Sequence, residues 1–219
     1  MNRNLLAGLI LGGLVSLAPV RAQQDEDIVA AAKKTQTPAS VLRMAEAIQK
    51  EIQSLPEYGV FDDIRFLIKD YVVTLRGEAS RPILKSAAEN VVKKIEGVQK
   101  VVNEIEVLPL SNADDAIRAR VYAAIYYHPI LSRYNPGRGV PVWLTPARIA
   151  AGITNDPPFG YHPIHILVKN GNVRLTGIVD NAADQQIAYM QANSVPGVFS
   201  VENDLHVAQK PPKAPRKKK

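Results

Sequence analysis

Apolar and polar residues alternate from Ile64 to Leu75 and again, one hundred positions later, from Ile164 to Leu175. A period of two predicts half-buried β-strands. In the later stretch Ile164, Ile166 and Val168 alternate with His165 and Leu167. Asn170-Gly171 then interrupts, and Val173 and Leu175 follow before Gly177. Asn-Gly tolerates the two positive φ angles of a tight type I′ turn, so this segment reads as a β-hairpin. The earlier stretch has Asp70-Tyr71 at that point, which predicts a longer or differently bent turn.

The likeness between the two stretches extends beyond the hairpins. From Ile64 to Val107, twelve of forty-four residues are identical to those one hundred positions on, with no gap: Ile64, Leu67, Lys69, Val73, Leu75, Gly77, Ala88, Gly97, Val98, Val101, Asn103 and Val107. Roughly two to three would arise by chance from ordinary composition, so the chain contains an internal repeat. After each hairpin the apolar spacing becomes helical. Ser80 and Pro82 open a helix with Ile83, Ala87, Val91 and Ile95 on one face, and Gly97 closes it. The second copy offers Asp180 as cap, then Ala183, Ile187 and Val195, and Gly197 at the exit. A third strand follows each helix, at Val98–Val107 and Val198–Val207. A leading helix precedes each hairpin, marked by Ala45, Ile48, Ile52 and Leu55 and by Ile117, Val121, Tyr122 and Ile125. The predicted fold class is therefore α+β: two αββαβ modules, each a three-stranded mixed sheet packed on two helices.

The ends of the chain change the picture of its charge. Arg3, the apolar run Leu5–Ala18 and the exit Val20-Arg21-Ala22 read as a secretory signal peptide over residues 1–22. Its apolar run would span about 21 Å as a helix, short of a hydrocarbon core roughly 30 Å thick. Residues 23–40 read as a linker, and the tail 209–219 is rich in proline and lysine. Of twenty-seven basic residues, two lie in the signal and six in the tail, leaving nineteen against twenty-one acidic ones. The body is near neutral, which argues against a nucleic-acid-binding fold. Cysteine is absent, so disulfides, thiolate chemistry and cysteine-based zinc sites are excluded.

The segment Val168–Gly177, followed at fixed distance by Val195-Pro-Gly-Val198 and Val201–Val207, resembles the signature of a BON domain. Ile68–Gly77, Glu96-Gly97-Val98 and Val101–Val107 repeat it in the first copy. The resemblance covers residues 41–109 and 112–208, with a Pro/Gly-rich insertion at about 130–163 in the second module. It is similar in layout to the osmotically inducible and outer-membrane-maintenance proteins of bacterial periplasms. The resemblance implies a non-enzymatic envelope protein, periplasmic or peripheral to the outer membrane, that associates with anionic phospholipid or another envelope polyanion. It implies no cofactor. The alternative is an adaptor that uses the insertion to bind another envelope protein.

Candidate contact residues follow from exposure arguments. In the insertion, Trp143 and Leu144 either anchor a lipid- or partner-facing flap or fold back as a cover, and Thr145–Gly152 reads as a short capped helix. Tyr122 is expected in the core, whereas Tyr126 and Tyr127 cannot both face one core stripe and are contact candidates. Lys210, Lys213, Arg216, Lys217, Lys218 and Lys219 form a basic cluster that either attracts anionic surfaces at about 1 kcal/mol each or serves as a solvated, solubilising end. No catalytic set is legible. Ser132 and Ser194 lack a nucleophile elbow. His162 and His165, three apart on an extended segment, should face opposite sides and make no metal pair. Asp62-Asp63 and Asp114-Asp115 read as solvated loop or helix-start acids.

Overall fold

A computed structural model describes residues 38–136 and 161–208. By contact density the chain divides into Met1–Leu42 and Arg43–Lys219, and both repeats fall in the second unit. The expected signal, the expected linker up to residue 37, most of the insertion including the helix expected at Thr145–Gly152, and the basic tail lie outside the described residues.

The elements run α1 (Pro38–Gln53), β1 (Asp63–Lys69), β2 (Val72–Ala79), α2 (Pro82–Val92), β3 (Lys100–Asn103) and β4 (Glu106–Val107) in the first module. The second contains α3 (Asn112–Tyr126), a 3-10 turn (Leu131–Tyr134), β5 (Ile164–Lys169), β6 (Asn172–Val179), α4 (Ala182–Asn193) and β7 (Ser200–Val207). Helix α1 begins three residues before the expected boundary of the first module. In each sheet the hairpin is antiparallel and the last strand returns parallel to its second arm, so β2 and β6 are central and β1 and β5 are edges. The α+β reading and the two αββαβ modules hold.

Each module has its own apolar core. Met44, Ile48 and Ile52 of α1 meet Val73, Leu75, Leu84, Ala88 and Val92. Ile117, Val121 and Ile125 of α3 meet Ile164, Ile166, Val168, Leu175 and Ala188. The helix residues correspond at a constant separation of 73 (117 minus 44), 27 short of the hundred that relates the strands, so the second module has 27 more residues than the first between its leading helix and its hairpin.

Three local expectations are corrected. Asp70-Tyr71 forms the same two-residue turn as Asn170-Gly171: φ is +49° and +62° in the first, +52° and +78° in the second, and both hairpins close on the same register. A tyrosine in the left-handed region costs about 1–2 kcal/mol, but Tyr71 packs against the first core, which offsets it. The helix caps also differ. Asn181, not Asp180, caps α4 by accepting from Asp184 N, and α2 has Arg81 at its cap with no side-chain bond, relying on Pro82 at the first turn. Gly97 and Gly197 do not end the helices directly. They lie several residues later, at φ +89° and +94°, where the chain turns into its last strand.

Candidate functional site

The segment Tyr58–Asp62, just ahead of β1, packs on the second module. Val60 and Phe61 are fully buried within the second core, with the Phe61 ring edge-on to Tyr122 at 6.3 Å. Val60 O accepts a bond from Ile166 N of the β5 edge at 2.8 Å. The Tyr58 ring lies 5.7 Å from that of His165, tilted by 52°. Ion pairs from Lys169 to Glu106 and from Arg174 to Glu78 tie the outer face of the second sheet to the first module. This contact explains a difference between repeats: Leu67 is 57% exposed, whereas its counterpart Leu167 is 3% exposed.

Of the four acids expected to be solvated, Asp62, Asp63 and Asp114 are buried and Asp115 is half-buried; Asp62 and Asp114 serve unpaired backbone donors that no strand or helix satisfies. Asp62 receives Gly59 N at 2.9 Å and Ser80 N at 2.6 Å. Burial is the largest influence on its carboxyl and raises its pKa above the usual 3.8, against the lowering effect of these bonds. Asp114 receives Asn170 N and Gly171 N at 2.9 and 2.8 Å, clamping the hairpin tip to the start of α3. A third buried acid, Asp184, joins Tyr134 Oη at 2.7 Å, Asn181 and Arg133.

The histidines part as expected. His162 lies against the rings of Tyr122 and Tyr126 at 5.7 and 5.0 Å, while His165 faces the module junction. Burial lowers the His165 pKa below 6.5, opposed by Asp63, Asp62 and bonds to the Asp62 and Gly59 carbonyls. Among the described residues, its Nδ1 and the Oγ1 of its cross-strand partner Thr176 have no hydrogen-bond partner. Among the described residues no group of three or more His, Asp or Glu could hold a metal, and no helix is long and apolar enough to cross a membrane.

Of the predicted contact residues, Tyr126 needs correction. It is completely buried, its hydroxyl donating to Ile164 O at 2.5 Å and accepting from Ile164 N at 3.1 Å, so it has no surface to offer a partner. The α3 stripe is wider than one row because the outer edge of β5 lies beside it and takes bonds from Arg118 and Tyr126. Tyr122 is core, as expected, and Tyr127 is half-buried with its hydroxyl enclosed, which raises its pKa. Trp143, Leu144, Lys210, Lys213, Arg216, Lys217, Lys218 and Lys219 lie outside the described residues.

Sequence reasoning missed Phe199. It is 81% exposed at the hairpin end of the second module, where Gly171 leaves room: a Cβ there would come 2.5 Å from the Phe199 ring. Phe199 N donates to Gly171 O, and exposed Arg120 bonds Pro196 O at 3.1 Å on the same end. The counterpart of Phe199 in the first repeat is Gln99. An aromatic residue gained in one copy at a loop that otherwise needs none was the available signal.

The BON domain family profile matches residues 43–109 and 146–209. The second match starts inside the insertion and leaves out α3, which the structure nonetheless supplies as that module's leading helix. No curated protein matches the chain. Two solved structures of CdsD, a structural protein of the Type III secretion system of Chlamydia trachomatis, are similar at 15% and 16% identity. The alignments cover 75% and 76% of this chain and 96% and 94% of those chains, each with a TM-score of 0.24. Those values are too low to bear on fold or function. With both repeats matched, and each built as helix, hairpin, helix and returning strand, the chain belongs to the BON domain family.

Proposed function

We propose that this protein is a non-catalytic component of the bacterial cell envelope that associates with anionic phospholipid surfaces through the hairpin end of its second module, assisted by its basic tail. The family is associated with phospholipid binding and envelope maintenance, and its members are generally binding or structural rather than enzymatic. The observation that carries the reading is Phe199, a large apolar side chain left 81% exposed on a braced tip beside exposed Arg120. An aromatic ring at a membrane interface, flanked by cations, gains from apolar burial and from the negative surface potential together. The six basic residues after Gln209 would add an attraction that salt screens. Export to the periplasm, with retention at the outer membrane, completes the proposal.

Co-sedimentation of the mature chain with phosphatidylglycerol vesicles at low ionic strength tests this. The protein should pellet with the vesicles. Phe199→Ala should weaken partitioning about ten-fold, the equivalent of losing one buried aromatic side chain. A chain ending at Ala208 should bind less tightly and with a weaker salt dependence. Protein left wholly in the supernatant would remove the reading.

A further inference from the structure

Among the described residues, the Tyr58–Asp62 turn is joined to the second module by a single backbone–backbone bond, Ile166 N to Val60 O at 2.8 Å. A second attachment is the His165 ring, which bonds the Gly59 and Asp62 carbonyls and lies beside Tyr58. Those bonds use Nε2, because among the described residues Nδ1 has no hydrogen-bond partner. A ring that donates to carbonyls through Nε2 is neutral with Nδ1 as its acceptor nitrogen. Thr176, across on β6, does not serve Nδ1, since its own Oγ1 is also without a partner. Asp62 in turn ties the segment to its own module through Gly59 N and Ser80 N, so the turn moves with the first module.

A proton added at Nδ1 would create a buried cation with one N–H left unbonded, and both are unfavourable away from water. The charges that face the ring set how strongly. From the first module Asp62 and Asp63 favour the cation, with Tyr58 beside them; Arg81 acts on Asp62 and Arg65 pairs with Asp63 at 3.2 Å. On the ring's own sheet Asp204 stands opposite Thr176, approached by Arg174 at 3.9 Å. The cross-module pairs Lys169–Glu106 and Arg174–Glu78 each bring together opposite charges. Burial outweighs the two acids and holds the ring below its usual 6.5. Opening the contact returns the ring to water, where it takes up a proton more readily than in the closed form. Acid therefore shifts the balance toward the open form.

We propose that the contact between the modules is a proton-weakened latch: protonation of His165 at Nδ1 releases the Tyr58–Asp62 turn from the β5 edge while both cores stay folded. Release bares Val60, Phe61 and the sheet face around Leu167, which are at most 3% exposed when the latch is closed. The device lies between the modules and requires no lipid, so it stands or falls separately from the membrane reading.

The test follows amide exchange in the intact mature chain from pH 7 to pH 5, expressed as protection factors. The Ile166 amide reads the latch directly through its bond to Val60 O. Its protection should begin to fall near pH 6.5, the value of a hydrated histidine, and drop about ten-fold by pH 5. Val73 and Val173, in the central strands, should keep theirs to within about two-fold, because local opening leaves the cores closed. The fall should level off where the His165 ring carbons titrate in the same chain. His165→Phe should keep Ile166 protected across the range. Constant protection of Ile166, loss in step with Val173, onset only below the His165 titration, or the same loss in His165→Phe would each overturn the proposal. Should that variant fail to fold, the ring titration and the Ile166 protection of the unsubstituted chain decide the matter between them.

Discussion

His165 shows how little a residue's type reveals until its surroundings are fixed. Written in a strand before Leu167, it looks like an outward polar position, and in an isolated module it would be one. The first module covers that face, so the ring is buried against Tyr58 with Asp62 and Asp63 nearby. Burial holds its pKa below 6.5, so the folded junction favours the neutral ring. A depressed folded value contributes stability that is present above the unfolded pKa and lost as pH falls through the folded one. Asp62, raised above 3.8, has the opposite sign: its contribution is present below that value and lost as pH rises through its folded pKa. The urea midpoint should therefore fall as pH drops from about 7 to about 5, the window of histidine. His165→Phe, which keeps a ring on Tyr58, should flatten that slope, and a variant with the original slope would assign the dependence to another group. None of this was legible beforehand. The buried roles of Asp62 and Asp114 depend on backbone donors eighteen and fifty-six residues away, which no local pattern encodes.

Elements were far more readable than their ends. Among the described residues, period-two and helical spacing located the α-helices, both hairpins and the returning strands, because each of these buries one regular face, but not the 3-10 turn Leu131–Tyr134. The errors fell where backbone geometry is decided by contacts and not by residue preference. Asp70-Tyr71 adopts the turn that Asn-Gly would choose, since register and the packing of Tyr71 impose it. The third strand of the first module breaks between Asn103 and Glu106, where Asn103 Oδ1 accepts from Ile105 N, a detail its alternation did not announce. The glycines ending each hairpin were legible as identities, and their reason is now explicit. At Gly77 (φ +114°) a Cβ would lie 1.9 Å from Asp63 O, and at Gly177 (φ +118°) 2.0 Å from Pro163 O. Both positions need positive φ and close passage of the neighbouring strand. Gly77→Ala and Gly177→Ala should each destabilise by about 3 kcal/mol or more in urea unfolding. Losses below about 1 kcal/mol at either site would mean that the two arms do not approach so closely.

At the scale of the whole molecule, duplication has produced two unlike copies. The second module is braced on the first through Val60, Phe61 and Tyr58, has its β5 edge filled, and carries an exposed aromatic at its tip. The first keeps an open edge and cleft. The repeat and the BON resemblance were visible in the sequence because identities at fixed spacing survive in one linear comparison. The structural difference between the copies was not, because it arises from a few positions where they differ, among them Gln53 against Tyr126, Ala45 against Arg118 and Gln99 against Phe199. The central claim is that membranes meet this protein at one end of its second module. The most direct check is to titrate the labelled mature chain with phosphatidylglycerol nanodiscs and follow the backbone amides. Signals of Gly171, Gly197 and Phe199 should broaden first, while those around Arg65 and Arg76 on the first module stay sharp. Uniform broadening with no first site, or changes confined to the first module, would contradict it.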